Sequence, residues 1–347
     1  INGGHIKVKA GTGASGIGGT GDMRYPSEGI KGGNITINGG IVDASTGSYL
    51  NSALDSGVGI GTNKYELGGS VTINGGTVIA KGVDCGIGAG KGGNITINGG
   101  DVTAIAGVTE DSSRYYWPKG IGIGLWHDGT VTINGGNINA STVYSGAGIG
   151  GYYADVAIHG GNIEATGNGE LKYPLSAGIG SGKSLLIDGG VIHAYGKGGA
   201  AGIGGNAAIS ITGGEITVSA TGTGAAIGGA AGKDCKSIHI QGDVLKSVSS
   251  VNGACIGAAN GKGSGNITIA NVKLSSLSGK YILIGWEADS PESQLTIQNC
   301  RITSTDADTS SSADGIRAGK NSSILIEASE VKLPQKSCVR AGDGGSI

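Results

Sequence analysis

The amino-acid sequence predicts an all-β protein, a right-handed single-stranded parallel β-helix of about twelve coils. Three observations carry that prediction. A phrase built from Ile-Thr-Ile-Asn-Gly-Gly, then Val-x-Ala, then Gly-Ile-Gly returns again and again along the chain. It alternates apolar and polar residues with the period of a strand, and no stretch sustains a helical period. Glycine accounts for 75 of the 347 residues without the every-third-residue order of collagen.

The clearest first strands and their Gly-Gly turns are NITINGGIVDAS from Asn34, SVTINGGTVIAK from Ser70, NITINGGDVTAI from Asn94 and TVTINGGNINAS from Thr130. Counting the worn copies, the first strands begin at Ile35, Val71, Ile95, Val131, Val156, Leu185, Ile209, Ile238, Ile267, Leu295 and Ile324. The shortest step between them is 24 residues and the longest 36. A unit this small cannot bury its own apolar face, whereas stacked units share a continuous core. At a strand spacing of about 4.8 Å, twelve coils make a rod roughly 58 Å long. Parallel crossovers wind to the right by default.

Within each coil, Ile35, Val71, Ile95 and Val131 are expected to stack inward in one column, and Ile37, Ile73, Ile97 and Ile133 in another. Thr36, Thr72, Thr96 and Thr132 then face outward. Asn38, Asn74, Asn98 and Asn134 fall at the turn, where side-chain amides can bond from coil to coil. The adjacent Gly-Gly supplies backbone angles that a side chain forbids. The third strand, Gly-Ile-Gly, should point its Ile inward and leave a bare glycine floor outside.

Residues 1–347 read as one module. Coils over 1–208 are glycine-rich and carry long loops, and the more regular coils over 209–347 form a spacer and the C-terminal end. The opening Ile1-Asn2-Gly3-Gly4 begins in mid-repeat, as in a piece cut from a longer polypeptide. The phrase AGIGSGKS at Ala177–Ser184 resembles a phosphate-binding loop, but a further strand pair follows where that loop needs a helix. It is a third strand and its turn.

The formal net charge is −2 and charged residues make up 14% of the chain. No basic patch favours nucleic acid, and no apolar run is long enough to span a membrane as a helix. Five cysteines without CxxC spacing read as small core residues rather than metal ligands. No metal and no cofactor are expected.

Function in a solenoid usually sits in what is inserted between the repeating strands. Two loop columns flank the Gly-Ile-Gly strand and hold 11 of the 14 Trp and Tyr residues. Tyr49, Tyr115, Tyr116, Trp117, Tyr144 and Tyr173 fall before the strand. Tyr25, Tyr65, Trp126, Tyr152 and Tyr153 fall after it. The third coil is short and its neighbours long, so a trough is expected to open near Lys81, Asp84 and Cys85. Flat rings with polar tips suit the faces and hydroxyls of sugars, with hydrogen bonds from Asp84, Arg114, Lys119, His127 and Asp128. Loop acids offer a pair for glycosidic hydrolysis, but no acid cluster recurs at a fixed offset. A structural stalk or adhesin would neither bind nor turn over a glycan.

The ITINGG…GIGG coils and their aromatic loops resemble β-helical carbohydrate-binding modules, most closely carbohydrate-binding module family 89. The resemblance covers nearly the whole chain and is specific for architecture. It implies a non-catalytic module that binds xylan, linked covalently to a xylanase of family 10 in a secreted or cell-surface bacterial enzyme. The alternative is a β-helical glycoside hydrolase or polysaccharide lyase using the loop carboxylates.

Overall fold

The computed structural model describes residues 1–12, 14–19, 31–47, 57–64, 66–108, 119–169, 176–290, 292–305, 314–333 and 337–347. Their strands stack into three parallel sheets, each coil adding one strand to each sheet. In the fourth coil, for example, the strands are Gly93–Ile97, Asp101–Ala106 and the start of Lys119–Ile133. The last of these bends round the corner into the first sheet of the fifth coil, as do Ser145–Ile158 and Ser184–Gly198 farther along. The result is a right-handed parallel β-helix of twelve coils.

The repeat frame read from sequence holds at every step. Ile35 pairs with Val71, Val71 with Ile95, Ile95 with Val131, and so on to Leu295 with Ile324. Inward residues from all three sheets make one apolar column running from Ile37 to Leu333. The Asn column forms as expected. Each amide Nδ2 donates to the Oδ1 of the coil before it at 2.7 Å, from Asn134 through Asn98, Asn74 and Asn38 to Asn2. In the next coils His159 and Asp188 continue the contact at 2.8 Å.

Positive φ makes glycine necessary at the second Gly of the turn. Gly76 and Gly136 lie at +91° and +100°. Where the last coils lose the Gly-Gly pair, Asn271, Asn299 and Ala328 take the left-handed conformation instead. Asn tolerates that region better than other side chains, and Asn299 also donates to Asn271 Oδ1 at 2.7 Å.

The first Gly of Gly-Ile-Gly serves a purpose the sequence reading missed. A Cβ on Gly59 would stand 2.6 Å from Lys81 N, one on Gly86 2.7 Å from Ile105 N, and one on Gly122 2.8 Å from Ser141 N. The second and third sheets therefore touch backbone to backbone along this line. These glycines face the neighbouring sheet and are buried, so there is no bare glycine floor open to solvent.

This contact predicts a sharp difference between glycines. Gly122→Ala must push the two sheets apart and should cost about 1–3 kcal/mol. Gly33→Ala, where a Cβ meets nothing within 4 Å, should leave stability nearly unchanged. Urea unfolding followed by circular dichroism separates the two outcomes.

Candidate functional site

From the second coil to the seventh the residue before the third-sheet Gly-Ile-Gly is apolar, and the first four of these residues make a second, outer ladder. Val58, Cys85, Ile121 and Ala147 are buried to within 3% and form a cluster separate from the main core. They are parallel neighbours in register, Val58 with Cys85 and Cys85 with Ile121. Trp126 packs against this ladder. Trp126 follows Leu125, which is fully buried in the main core, so the chain turns outward between the two.

A bulge accomplishes that turn. Leu125 pairs with Gly151 and Asp128 with Tyr153, leaving Trp126 and His127 opposite Tyr152 alone. Trp126 and Tyr152 stack at 5.1 Å between centroids with an interplanar angle of 19°. That separation is close to one coil spacing, so the rings follow the rod axis.

Lys64 approaches the other side of the indole from the second coil, its Nζ 5.2 Å from the ring centroid. It is carried by a three-residue insertion, Lys64 to Glu66, between Asn63 and the Leu67–Lys91 bridge. Third-coil residue Gly90 makes room for that insertion, since a Cβ there would lie 2.2 Å from Glu66 O. Lys64 also pairs with Asp84 at 3.0 Å, and the Asp84 side chain is only 7% exposed. Burial pushes the neighbouring Cys85 thiol well above its usual range, and the Asp84 charge adds to the effect. This thiol is a packing group, not a nucleophile. Cys235, Cys255 and Cys300 are likewise buried and outside any disulfide.

Glu66 was not among the sequence candidates. It is 2% exposed, it accepts from Asn63 Nδ2 at 3.4 Å, and its second carboxylate oxygen has no partner. Burial raises its pKa against the opposing hydrogen bond from the Asn63 backbone. Its carboxyl lies against Gly19, where any Cβ would collide with it.

The expected trough therefore takes a different form. Asp84 and Cys85 are covered, by an outer apolar ladder with Lys64 and Trp126 above it, because second-column side chains fold back over the third sheet. Trp126 and His127 are half-buried, Asp128 is exposed, and Tyr153 is 62% exposed. Tyr144 precedes the strand Ser145–Ile158, beside Gly107, on the other side of Gly148-Ile149-Gly150 from Tyr152. Tyr25, Tyr49, Tyr65, Arg114, Tyr115, Tyr116, Trp117 and Tyr173 lie outside the described residues, as does the Lys119 side chain. Beyond Tyr152, the sixth coil has Gly182 in the ring column, with its would-be Cβ 1.7 Å from Tyr152 O. Nearby, Lys183 and Ser184 both bond Asp155 and outweigh its partial burial, holding that carboxyl below its usual range. Lys236 Nζ reaches Gly182 O at 2.7 Å.

Six stretches of the chain, 35–64, 71–91, 95–124, 131–151, 156–183 and 186–207, match the family model described as beta helix repeat. Their frame is that of coils two to seven, and the match supports the β-helical fold. No curated protein and no solved structure matches the chain. Among the described residues, no group of three or more His, Cys, Asp or Glu is placed to hold a metal ion.

Two outcomes test this arrangement. Lys64→Met leaves Asp84 buried without its cation and should cost about 1–3 kcal/mol, less than for a fully buried pair because Lys64 is partly exposed. Adding Asp84→Asn should restore most of the loss in a double-mutant cycle. Glu66 has a folded pKa above its unfolded one, so its ionisation opposes folding as pH rises. Glu66→Gln should raise the melting temperature at pH 7 relative to wild type, with the gain fading as pH falls through the raised folded pKa and gone below the unfolded carboxylate pKa near 4.3.

Proposed function

We propose that this protein is a non-catalytic polysaccharide-binding module whose ligand lies against the flank carrying Tyr152 and Tyr153. The observation that supports this reading is the ring column. Two stacked aromatics stand on a rigid rod and are followed on the next coil by Gly182, which has no side chain to cover Tyr152. A pyranose stacked on Tyr152 extends the series by one step, and the exposed Tyr153 and the Asp155–Lys183 pair supply hydroxyl contacts beside it. Trp126 is the base of the stack rather than its contact face, since Lys64 and Tyr152 flank it.

Asp84, the acid at the expected trough, is tied to Lys64 and covered, which favours binding over hydrolysis. The resemblance to family 89 modules makes xylan the first ligand to try. It also makes a covalently linked catalytic domain such as a xylanase, and a secreted or cell-surface bacterial setting, the context we propose.

Affinity electrophoresis in gels containing xylan, glucan, mannan or pectin tests the reading. Retardation in at least one is expected, and Tyr152→Ala should reduce it by about 1–3 kcal/mol of binding free energy with the circular dichroism spectrum unchanged. No retardation in any gel discards the proposal. Release of reducing ends or unsaturated products from the same polysaccharides would replace it with the enzymatic alternative.

A further inference from the structure

The outward face of the second sheet carries a second feature, separate from the ring stack. Over coils four to seven its strands Asp101–Ala106, Asn137–Thr142, Asn162–Gly169 and the second half of Ser184–Gly198 lie in unbroken parallel register. Their inward residues, such as Val102, Ile138, Ile163 and Ile192, are buried in the main core and fix the strands. Their outward residues line a depression of about 390 Å³, within the roughly 300–1,000 Å³ of small-molecule sites.

Two rows of polar side chains cross this depression. Asp101, Asn137 and Asn162 make one row, and Thr103, Asn139, Glu164 and His193 the other. Neighbours within a row are one coil apart along the rod, and the two rows are two residues apart along the strand, a fixed grid of about 4.8 by 6.6 Å. The preceding coil has Ile79 in the second row, and the seventh coil interrupts the first row with Val191, which is 42% exposed, before Glu215 and Thr217 resume polar positions in the eighth.

The grid differs from the Asn column at the turn in one decisive respect. At the turn each amide is spent on its neighbour. In the depression Asn137 donates to Asp101 Oδ1 at 2.8 Å. The side chains of Thr103, Asn139, Asn162, Glu164 and His193 make no hydrogen bond or ion pair within the protein among the described residues. Acceptors (Glu164, Asp101), mixed donor–acceptors (Asn139, Asn162, Thr103) and an imidazole thus all face one space.

We propose that this depression is a binding site for a neutral oligosaccharide. Hydroxyl groups donate and accept at once, so they match a grid of mixed amides, acids and a hydroxyl. The flanking Ile79 and Val191 offer apolar contact for the C–H faces of a sugar. Two carboxylates and no Lys or Arg line the space, so the site disfavours acidic glycans by like-charge repulsion. Its ligand contacts are hydrogen bonds rather than ring stacking, and it operates independently of Tyr152.

Isothermal titration calorimetry of the whole chain with xylohexaose, cellohexaose, mannohexaose and hexagalacturonate tests the proposal. At least one neutral hexasaccharide should bind and hexagalacturonate should bind at least tenfold more weakly. Asn139→Ala combined with Glu164→Ala, both exposed positions, should cost at least tenfold in affinity for that neutral ligand with an unchanged circular dichroism spectrum. Tyr152→Ala should leave a binding event of unchanged affinity. Absence of binding by all three neutral sugars, unchanged affinity in the double variant, or a preference for the uronate each overturns the assignment. Loss of all binding in Tyr152→Ala alone overturns it too, while upholding the ring site.

Discussion

The close approach of the second and third sheets governs the rest of the molecule. Backbone meets backbone at Gly59, Gly86, Gly122, Gly148 and Gly178, where a single methyl group would stand within 3 Å of the facing strand. Glycine satisfies that distance in the early coils, so their recurrent Gly-Ile-Gly is a packing requirement, whereas coils eight to ten hold Ala226, Cys255 and Leu283 at the same place. Dispersion and burial then reward the contact, because atoms at van der Waals distance across the whole line exclude water. The Ile between the two glycines remains free to enter the main core, and Ile60, Ile87, Ile123 and Ile149 are each fully buried.

The same constraint shapes the outside. With the glycines turned against their neighbour sheet, the residue before them becomes the outermost position and needs cover of its own. Val58, Cys85, Ile121 and Ala147 supply an apolar surface, and Trp126 and Lys64 lie over it. A buried acid, Asp84, is tolerated there because Lys64 neutralises it, a geometry in which loss of either partner is expensive. Lys64 in turn depends on a loop whose passage over Gly90 is permitted by another missing side chain. The ring stack is thus the outer end of a chain of contacts that begins in the sheet-to-sheet contact.

Much of this was legible in the sequence. The eleven strand starts from Ile35 to Ile324 fall in register because period-two alternation and the Gly-Gly turn are local signals, repeated often enough to fix the frame. The Asn column was legible for the same reason. The meaning of the glycines was not, since a residue with no side chain gives no hint of which surface it faces. The outer ladder had a visible signal in the Val, Cys, Ile and Ala that precede Gly-Ile-Gly, and their shared apolarity argues for cover rather than exposure. The Lys64–Asp84 pair was hidden because a three-residue insertion breaks the alignment that would have brought the two together. The second-sheet grid can be read as Asp-x-Thr, Asn-x-Asn, Asn-x-Glu and Val-x-His, but its interest depends on which polar groups remain without protein partners, a fact of three dimensions.

The corner after the third sheet varies in length along the rod; over coils four to six it shortens from eight steps between Ile123 and Val131 to seven between Ile149 and Val156 and six between Ile179 and Leu185. The ladders on either side stay aligned through these changes, with the bulge at Trp126 absorbing one residue. Such a joint separates heredity of the scaffold from heredity of the surface. Mutation can lengthen, trim or redecorate it in one coil without disturbing the next, so new specificities can be tried one turn at a time. For an engineer, it is the natural graft point on this rod.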